Sequence, residues 1–163
     1  MLKKKVCLVG SFGVGKTSLI ARFVEGIFSD KYLSTIGVKI DRKSVEIGDR
    51  QVNLLLWDIA GEEDFLQIPM DYVKGTAGYL LICDGTRPET FETAVTVKER
   101  VDREIGELPL IGLINKNDLS NEWKVTDEEI SRFSDHGWPV MRTSAKTGEN
   151  VEQAFRDLAR RVL

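Results

Sequence analysis

The stretch Gly10-Ser11-Phe12-Gly13-Val14-Gly15-Lys16-Thr17 decides the predicted fold, and we call it the phosphate loop. It fits the pattern of Gly, four residues, Gly-Lys and then Ser or Thr, which binds phosphate groups. Apolar residues at 6–9 predict a buried strand before it, and residues 18–24 predict a helix after it. Because the motif needs this strand–turn–helix context, we interpret the match as a phosphate site and not as a chance match.

Each part of the phosphate loop supplies one part of that chemistry. Its glycines let the backbone wrap closely around a phosphate, and the start of the following helix adds N–H donors. The Lys16 ammonium can neutralise the outer phosphates, and the Thr17 hydroxyl can ligate Mg²⁺. The sequence therefore predicts ligand contacts from Gly13, Val14, Gly15, Lys16, Thr17 and Ser18.

The composition of the chain limits its class and its partners. Its 163 residues are 42% hydrophobic and 30% charged, which is typical of one globular domain, at 1–163. The net charge of −3 argues against a nucleic-acid partner. No apolar run is long enough to span a membrane, and neither end has a lipidation signal, so we expect no membrane anchor in this chain. Cys7 and Cys83 lie in apolar runs, so we expect reduced core thiols and a cytoplasmic protein.

Strand-like and helix-like segments alternate along the chain, which predicts an α/β fold with a mostly parallel sheet. Gly48-Asp49 suits a two-residue hairpin turn, so the second and third strands should pair antiparallel. The predicted strands are residues 4–10, 38–47, 50–58, 78–84, 110–114 and 140–143. The predicted helices are residues 16–25, 91–105, 126–136 (behind a Thr126–Glu129 capping box) and 151–162. We predict loops at 26–37 and, with weak helical character, at 62–75.

Polar clusters directly follow four of the predicted strands. They are the phosphate loop and residues 58–61, 115–118 and 144–146. In an open α/β sheet, ligands bind at the carboxyl ends of the strands. We therefore expect one ligand site built from all four clusters.

With these motifs in this order, the chain resembles the small GTPases of the Ras superfamily over nearly all of its length. The segments Ser34-Thr35-Ile36-Gly37-Val38 and Trp57-Asp58-Ile59-Ala60-Gly61 are most similar to the Rab branch. The resemblance implies a six-stranded mixed sheet flanked by helices. It also implies GTP and GDP as ligands, Mg²⁺ as cofactor, and a switch that hydrolyses GTP.

The segment Asn115-Lys116-Asn117-Asp118 matches the guanine-recognition motif of that family. The chemistry agrees with the match, because one carboxylate, Asp118, can accept hydrogen bonds from both N1–H and the amino group of guanine. Adenine offers no such pair, and a buried carboxylate left unpaired discriminates strongly. This favours GTP over ATP, and so disfavours a P-loop ATPase or kinase.

Further nucleotide contacts are implied by the resemblance alone. Lys116 would lie across one face of the base, Phe28 would contact the other, and Asn115 would brace the loops. The Ala145 N–H would donate to the guanine oxygen. The remaining residues implied to contact the nucleotide or shape its site are Ser29, Asp30, Tyr32, Ser144 and Lys146.

The resemblance also implies a metal site and a hydrolytic centre. Thr17 and Thr35 would ligate Mg²⁺ directly, and Asp58 would hold it through water, which suits an ion that retains part of its hydration shell. The Gly61 N–H would bind the γ-phosphate. The implied catalytic set is Lys16, Thr35, Gly61 and, less typically, Glu62.

Two residues depart from the family pattern and predict slow hydrolysis. Glu62 stands where most relatives have a glutamine that orients the attacking water, and a carboxylate cannot also donate to the phosphate. At the position of Phe12, relatives usually have a small residue, and the arginine of an activating protein passes close to it. A GTP-bound scaffold with little or no hydrolysis is therefore an alternative.

In the family, two segments change conformation with the γ-phosphate and bind effectors, and here they would be residues 30–38 and 61–74. Activating and exchange proteins are possible further partners. Trp57 and Tyr72 would belong to a partner-binding aromatic patch, the alternative being that they only pack against the sheet. The implied effector-binding residues are Ile36, Gly37, Val38, Ile40, Trp57, Phe65 and Tyr72.

We assign no role to His136, the only histidine.

Overall fold

Strands and helices alternate along the chain in the computed structural model, which describes residues 2–29, 37–59, 70–135 and 137–163. The strands in these ranges are β1 (Leu2–Gly10), β2 (Val38–Ile47), β3 (Arg50–Ile59), β4 (Gly78–Asp84), β5 (Leu110–Asn115) and β6 (Val140–Arg142). The helices are α1 (Lys16–Glu25), α2 (Met70–Val73), α3 (Glu89–Glu104), α4 (Asp127–Ser134) and α5 (Val151–Arg161). The predicted α/β alternation is confirmed.

The six strands found in these ranges form one mixed sheet with the order β2-β3-β1-β4-β5-β6. β2 and β3 pair antiparallel with Ile47 opposite Arg50, so the predicted two-residue turn at Gly48-Asp49 is confirmed. All other strand pairs are parallel. The carboxyl ends of β1, β3, β4, β5 and β6 therefore meet at one edge of the sheet.

Two apolar layers cover the two faces of the sheet. Alternation along β1 places Val6 and Leu8 in one layer and Cys7 and Val9 in the other. The first layer contains residues from α1 and α5, whose Phe23 and Phe155 rings stack with centroids 4.0 Å apart. The second layer contains residues from α2, α3 and α4. The sheet is thus held between helices, and the carboxyl ends of its parallel strands form the edge where a ligand is expected.

The predicted boundaries differ from the observed ones where tertiary contacts extend or end an element. β1 begins two residues before the predicted start, because Leu2 and Lys3 pair with β3. The capping box of α4 is confirmed, with the Glu129 N–H donating to Thr126 Oγ1 over 3.1 Å. That helix ends at Ser134, before the predicted residue 136, because the Gly137 N–H bonds to the Ser134 carbonyl as a tight turn.

Both cysteines are buried free thiols, as predicted. Burial raises the pKa of Cys7 and, more strongly, that of Cys83. They are therefore protonated and unreactive core residues at neutral pH. Among the described residues, no helix is both long enough and apolar enough to cross a bilayer.

Candidate functional site

The phosphate loop connects β1 to α1, and its sharp return depends on Gly15. This residue has a φ of +104°, and a Cβ added there would lie 2.3 Å from the Asn115 amide nitrogen. A side chain is therefore excluded by both backbone strain and a direct clash. Gly15 also caps α1 with no side-chain hydrogen bond, and the first turn contains no acidic residue. The amide end of α1 is thus suited to an anion.

The Lys16 side chain is buried and folds back over the loop. Its ammonium donates to the carbonyls of Gly10 at 3.0 Å and Ser11 at 2.9 Å. Burial lowers the pKa of Lys16 to about 8, the positive charge of Arg87 adds to this, and Asp58 opposes it. The protein neutralises the positive charge of the Lys16 ammonium only in part. A phosphate group bound here would supply the remaining negative charge.

Thr17 and Asp58 meet between α1 and the end of β3. The Thr17 hydroxyl donates to Asp58 Oδ2 over 2.6 Å, and Asp58 is only 1% exposed. A hydroxyl and a buried carboxylate at this separation are oxygen donors of the kind that Mg²⁺ prefers. These two residues therefore fit the implied metal.

Asn115 joins three strand ends through its side-chain amide. Its Nδ2 donates to the Val14 carbonyl at 3.0 Å, and its Oδ1 accepts from Thr143 Oγ1 at 3.1 Å. The side chain is 2% exposed, so both ends of the amide are satisfied in the protein interior. Asn115 thus fixes the phosphate loop relative to β5 and β6.

Asp118 and Ser144 bring the two segments of the predicted guanine site together. The Ser144 hydroxyl donates to Asp118 Oδ1 over 2.7 Å and accepts from the Thr147 N–H over 3.1 Å. Ala145 next to it is buried, whereas Lys146 is exposed. The half-exposed Asp118 carboxylate is therefore held in one orientation by the loop that begins with Ser144.

Asp84 is a site residue to which the sequence analysis assigned no role. Its fully buried carboxylate ends β4 and lies 2.8 Å from the Lys116 ammonium. The other oxygen accepts from the Thr86 N–H and hydroxyl, at 2.8 and 2.7 Å. The signal was present in the sequence, because Asp84 is the last residue of a buried strand whose end lies at the ligand edge.

Arg87 extends this network to the phosphate loop. Its Nη1 donates to the Phe12 carbonyl at 2.9 Å and lies 3.9 Å from Asp84 Oδ2, the oxygen that also faces Lys116. The Phe12 side chain itself is 40% exposed. Nothing in the sequence pattern indicated Arg87, because its contact with Phe12 spans 75 residues.

Two of the predicted effector residues that the structure describes, Ile40 and Trp57, lie side by side. Ile40 is 47% exposed and pairs directly with Trp57 across the β2–β3 ladder. Trp57 and Tyr72 are half-buried, and the Lys5 ammonium lies 3.7 Å from the centre of the Trp57 ring. Trp57 therefore packs against the protein and still presents surface next to Ile40.

The other predicted nucleotide-contacting residues lie just after α1 or outside the described ranges. Phe28 and Ser29 are described and exposed, after the end of α1. The predicted residues that lie outside the described ranges are Asp30, Tyr32, Thr35, Ile36, Gly61, Glu62, Phe65 and His136.

Comparisons with known proteins identify the family of this chain. A model of the Ras family matches residues 5–163. The chain is 38% identical to the Ras-related protein Rab-13 of Mesocricetus auratus, over 98% of this chain and 79% of the relative. Rab-13 of Canis lupus familiaris is 37% identical and that of Bos taurus 38% identical, with the same coverage. The chain therefore belongs to the Ras family of small GTPases, enzymes that bind and hydrolyse GTP, and within that family it is Rab-like.

Proposed function

We propose that residues 1–163 form one G domain that acts as a Mg²⁺-dependent switch and hydrolyses GTP slowly. The observation that supports this best is the set of direct contacts among the strand-end clusters. Thr17 contacts Asp58, Asn115 contacts Val14, and Ser144 contacts Asp118. A nucleotide lying along this edge would have its phosphates at α1 and its base at Asp118.

Each residue of this edge has a proposed part in binding. Lys16 would neutralise the outer phosphates, and the N–H groups of residues 13–18 would surround them. Asp118 would accept from the guanine N1–H and amino group, with the Ala145 N–H on the guanine oxygen. Lys116 and Phe28 would contact the two faces of the base, and the implied contacts of Ser29, Asp30, Tyr32 and Lys146 are part of the proposal.

The metal would be held by Thr17, Thr35 and, through water, Asp58. When bound, Mg²⁺ would neutralise charge on the β- and γ-phosphates. Among the chain's own residues, the buried Asp58 would orient the Thr17 hydroxyl through their 2.6 Å contact. The Gly61 N–H would bind the γ-phosphate, which would link residues 30–38 and 61–74 to the state of the nucleotide.

We propose that GTP hydrolysis is slow because of two residues, Glu62 and Phe12. We assign Glu62 a weak part in placing the attacking water, because a carboxylate can accept a hydrogen bond from water but cannot donate one to phosphate. The Phe12 backbone is fixed by Arg87, and its side chain is 40% exposed. A ring at this position would obstruct the arginine of an activating protein.

A scaffold that remains in its GTP-bound state is the second candidate, and the same exposed Phe12 ring favours it. In either case the partner surface would include Ile36, Gly37, Val38, Ile40, Trp57, Phe65 and Tyr72, and would bind effector, activating or exchange proteins. The two buried free thiols favour a reducing compartment such as the cytoplasm.

Two measurements test the proposal. The nucleotide that co-purifies with the chain should be GDP or GTP, and recovery of an adenine nucleotide instead would contradict it. Phosphate release from preloaded GTP at single turnover then separates the candidates. A slow but measurable release supports the switch, no release supports the scaffold, and a rate of roughly 5–20 s⁻¹, typical of activated family members, would contradict slow hydrolysis.

A further inference from the structure

The Arg22 guanidinium connects α1 to two loops at the proposed base site. Its Nε donates to the Ala145 carbonyl over 2.7 Å, and Nη2 donates to the Lys146 carbonyl. Its Nη1 donates to the Gly26 carbonyl over 3.2 Å. One side chain thus bonds the loop after β6 and the first residue of the loop after α1.

We propose that Arg22 is a positioning residue for the guanine base and slows nucleotide release by holding these two loops together. This rests on the proposed assignment of Ala145 and Phe28 to the base. Ala145 would present its N–H to the guanine oxygen, and Phe28 follows Gly26 by two residues. The three hydrogen bonds that Arg22 makes within the described ranges all go to main-chain carbonyls, so it acts on the base through these loops.

The geometry around Ala145 shows how that positioning works. The Ala145 carbonyl is fixed by Arg22, and the residue is 4% exposed, so its peptide planes have little freedom. The loop closes on itself through the Gly148 N–H, which donates to the Ser144 carbonyl over 2.8 Å. A Cβ on Gly148 would lie 3.7 Å from Arg22 Cδ, which shows how closely the arginine stem passes this loop. The bonds from Arg22 tie the closed loop to α1.

α1 makes this connection relevant to the whole nucleotide. The helix begins at Lys16, next to the proposed phosphate site, and Arg22 lies in its last turn. The stretch of helix from Lys16 to Arg22 therefore relates the position of the phosphate loop to that of the base loop. Nucleotide release requires at least one of the two ends to open, and loss of Arg22 frees the base end.

An arginine is suited to this task by its shape as well as its charge. The planar guanidinium presents several N–H donors in a fixed fork, which matches the adjacent carbonyls of residues 145 and 146. A lysine keeps the charge but is a flexible point donor, so it cannot reproduce that fork. The Arg22→Lys variant therefore tests the geometry of the donors separately from the positive charge.

The test is the release rate of a fluorescent GDP analogue from the Mg²⁺-loaded chain, chased with excess GDP. Arg22→Ala should release it about tenfold faster, the equivalent of about 1.4 kcal/mol, and Arg22→Lys should lie between wild type and Arg22→Ala. Unchanged release in Arg22→Ala, or full rescue by lysine, would overturn the proposal. Should Arg22→Ala fail to fold, Arg22→Lys against wild type decides it alone, with faster release expected.

Arg156→Ala is the matched control for a general loss of stability. Arg156 Nη1 donates to the Glu46 carbonyl over 2.7 Å and its Nε to Glu152 over 2.8 Å, so it also ties a helix to another segment by main-chain contact. It lies on α5, away from the proposed base site. The Arg156→Ala variant should release the GDP analogue at the wild-type rate, even if its midpoint of urea unfolding falls as far as that of Arg22→Ala. Equal acceleration in both variants would mean that Arg22 is merely structural.

Inosine diphosphate distinguishes failure of this inference from failure of the proposed site. It keeps the guanine oxygen and lacks the amino group, so Arg22→Ala should weaken GDP and inosine diphosphate by the same factor. A loss of affinity confined to GDP would mean that Arg22 acts on recognition of the guanine amino group. That result would overturn the proposal that Arg22 positions Ala145. If wild type itself binds the two equally, the Asp118 assignment is wrong whatever Arg22 does.

Discussion

Asp84 and Lys116 form an ion pair of 2.8 Å across the ends of β4 and β5, and the Asp84 carboxylate is completely buried. Asp84 lies opposite Asn115 in the ladder, so the pair is fixed by strand register. Lys116 has a φ of +72°, an unusual conformation for a lysine. The carboxylate therefore holds in place a residue whose backbone is strained and whose side chain is proposed to contact the base.

Replacing Asp84 with asparagine should destabilise the protein. The change leaves Lys116 facing a neutral amide, and because the Lys116 side chain is 32% exposed, water solvates part of its charge, so we expect a cost of about 1.5–3 kcal/mol. The midpoint of urea unfolding should fall accordingly, and GDP should be released faster. Asp71→Asn is the control, because Asp71 pairs with Lys74 at 3.1 Å with both side chains exposed. That variant should change stability by less than about 1 kcal/mol, and equal losses in both would contradict the special role of Asp84.

Asp118→Asn should change the base that the chain prefers. Xanthine carries a carbonyl oxygen where guanine carries its amino group, and an asparagine amide can donate to that oxygen. The variant should therefore bind xanthosine diphosphate more tightly than GDP, as measured by competition titration. Equal affinity for the two nucleotides would reject Asp118 as the guanine-selecting residue.

Gly15→Ala should abolish nucleotide binding and destabilise the fold. The φ of +104° is strained for alanine, and the new Cβ would lie 2.3 Å from the Asn115 amide nitrogen and displace it from Val14. Strain of this kind costs about 1–3 kcal/mol. Gly48→Ala is the control, since Gly48 also has a positive φ, +64°, but has open space around it. It should lose stability through strain alone and retain GDP, so loss of GDP binding in both variants would contradict the steric argument.

Thr17→Asn should retain some GDP and lose the preference for GTP, because the triphosphate state depends more on the metal. Thr17→Ser keeps the hydroxyl that donates to Asp58 over 2.6 Å, so it should behave as wild type. Chelation of Mg²⁺ should speed GDP release from wild type and Thr17→Ser, and much less from Thr17→Asn. A wild-type release rate that does not respond to chelator would argue against a metal held at Thr17 and Asp58.

Single-turnover hydrolysis decides the parts played by Glu62 and Phe12. Glu62→Ala should hydrolyse GTP more slowly than wild type, whereas Glu62→Gln should be faster because an amide can donate to phosphate as well as accept from water. Phe12→Gly should leave intrinsic hydrolysis similar and restore a response to an arginine-donating activating protein. If Glu62→Ala is as fast as wild type, Glu62 has no part in the chemistry.

Local patterns in the sequence were sufficient for most of the fold. The phosphate loop, the Gly48-Asp49 turn and the Thr126 capping box each specify their own backbone within a few residues, and the structure contains the turn and the capping box as predicted. The rule that the ends of parallel strands share one edge also predicts that Asp58, Asn115 and Ser144 lie at the same edge of the sheet. These features were predictable because their physical causes act over short distances along the chain.

Only the tertiary structure decided which residues hold that edge together. Arg22 and Ala145 are 123 residues apart, and Asn115 and Val14 are 101 apart, so no periodicity or spacing relates them. The motifs, their order and the family resemblance follow from local residue patterns alone. The buried Asp84–Lys116 pair and the three bonds from Arg22 exist because parallel strand order brings β1, β4, β5 and β6 side by side, and that order is set by packing of the whole sheet between its helices.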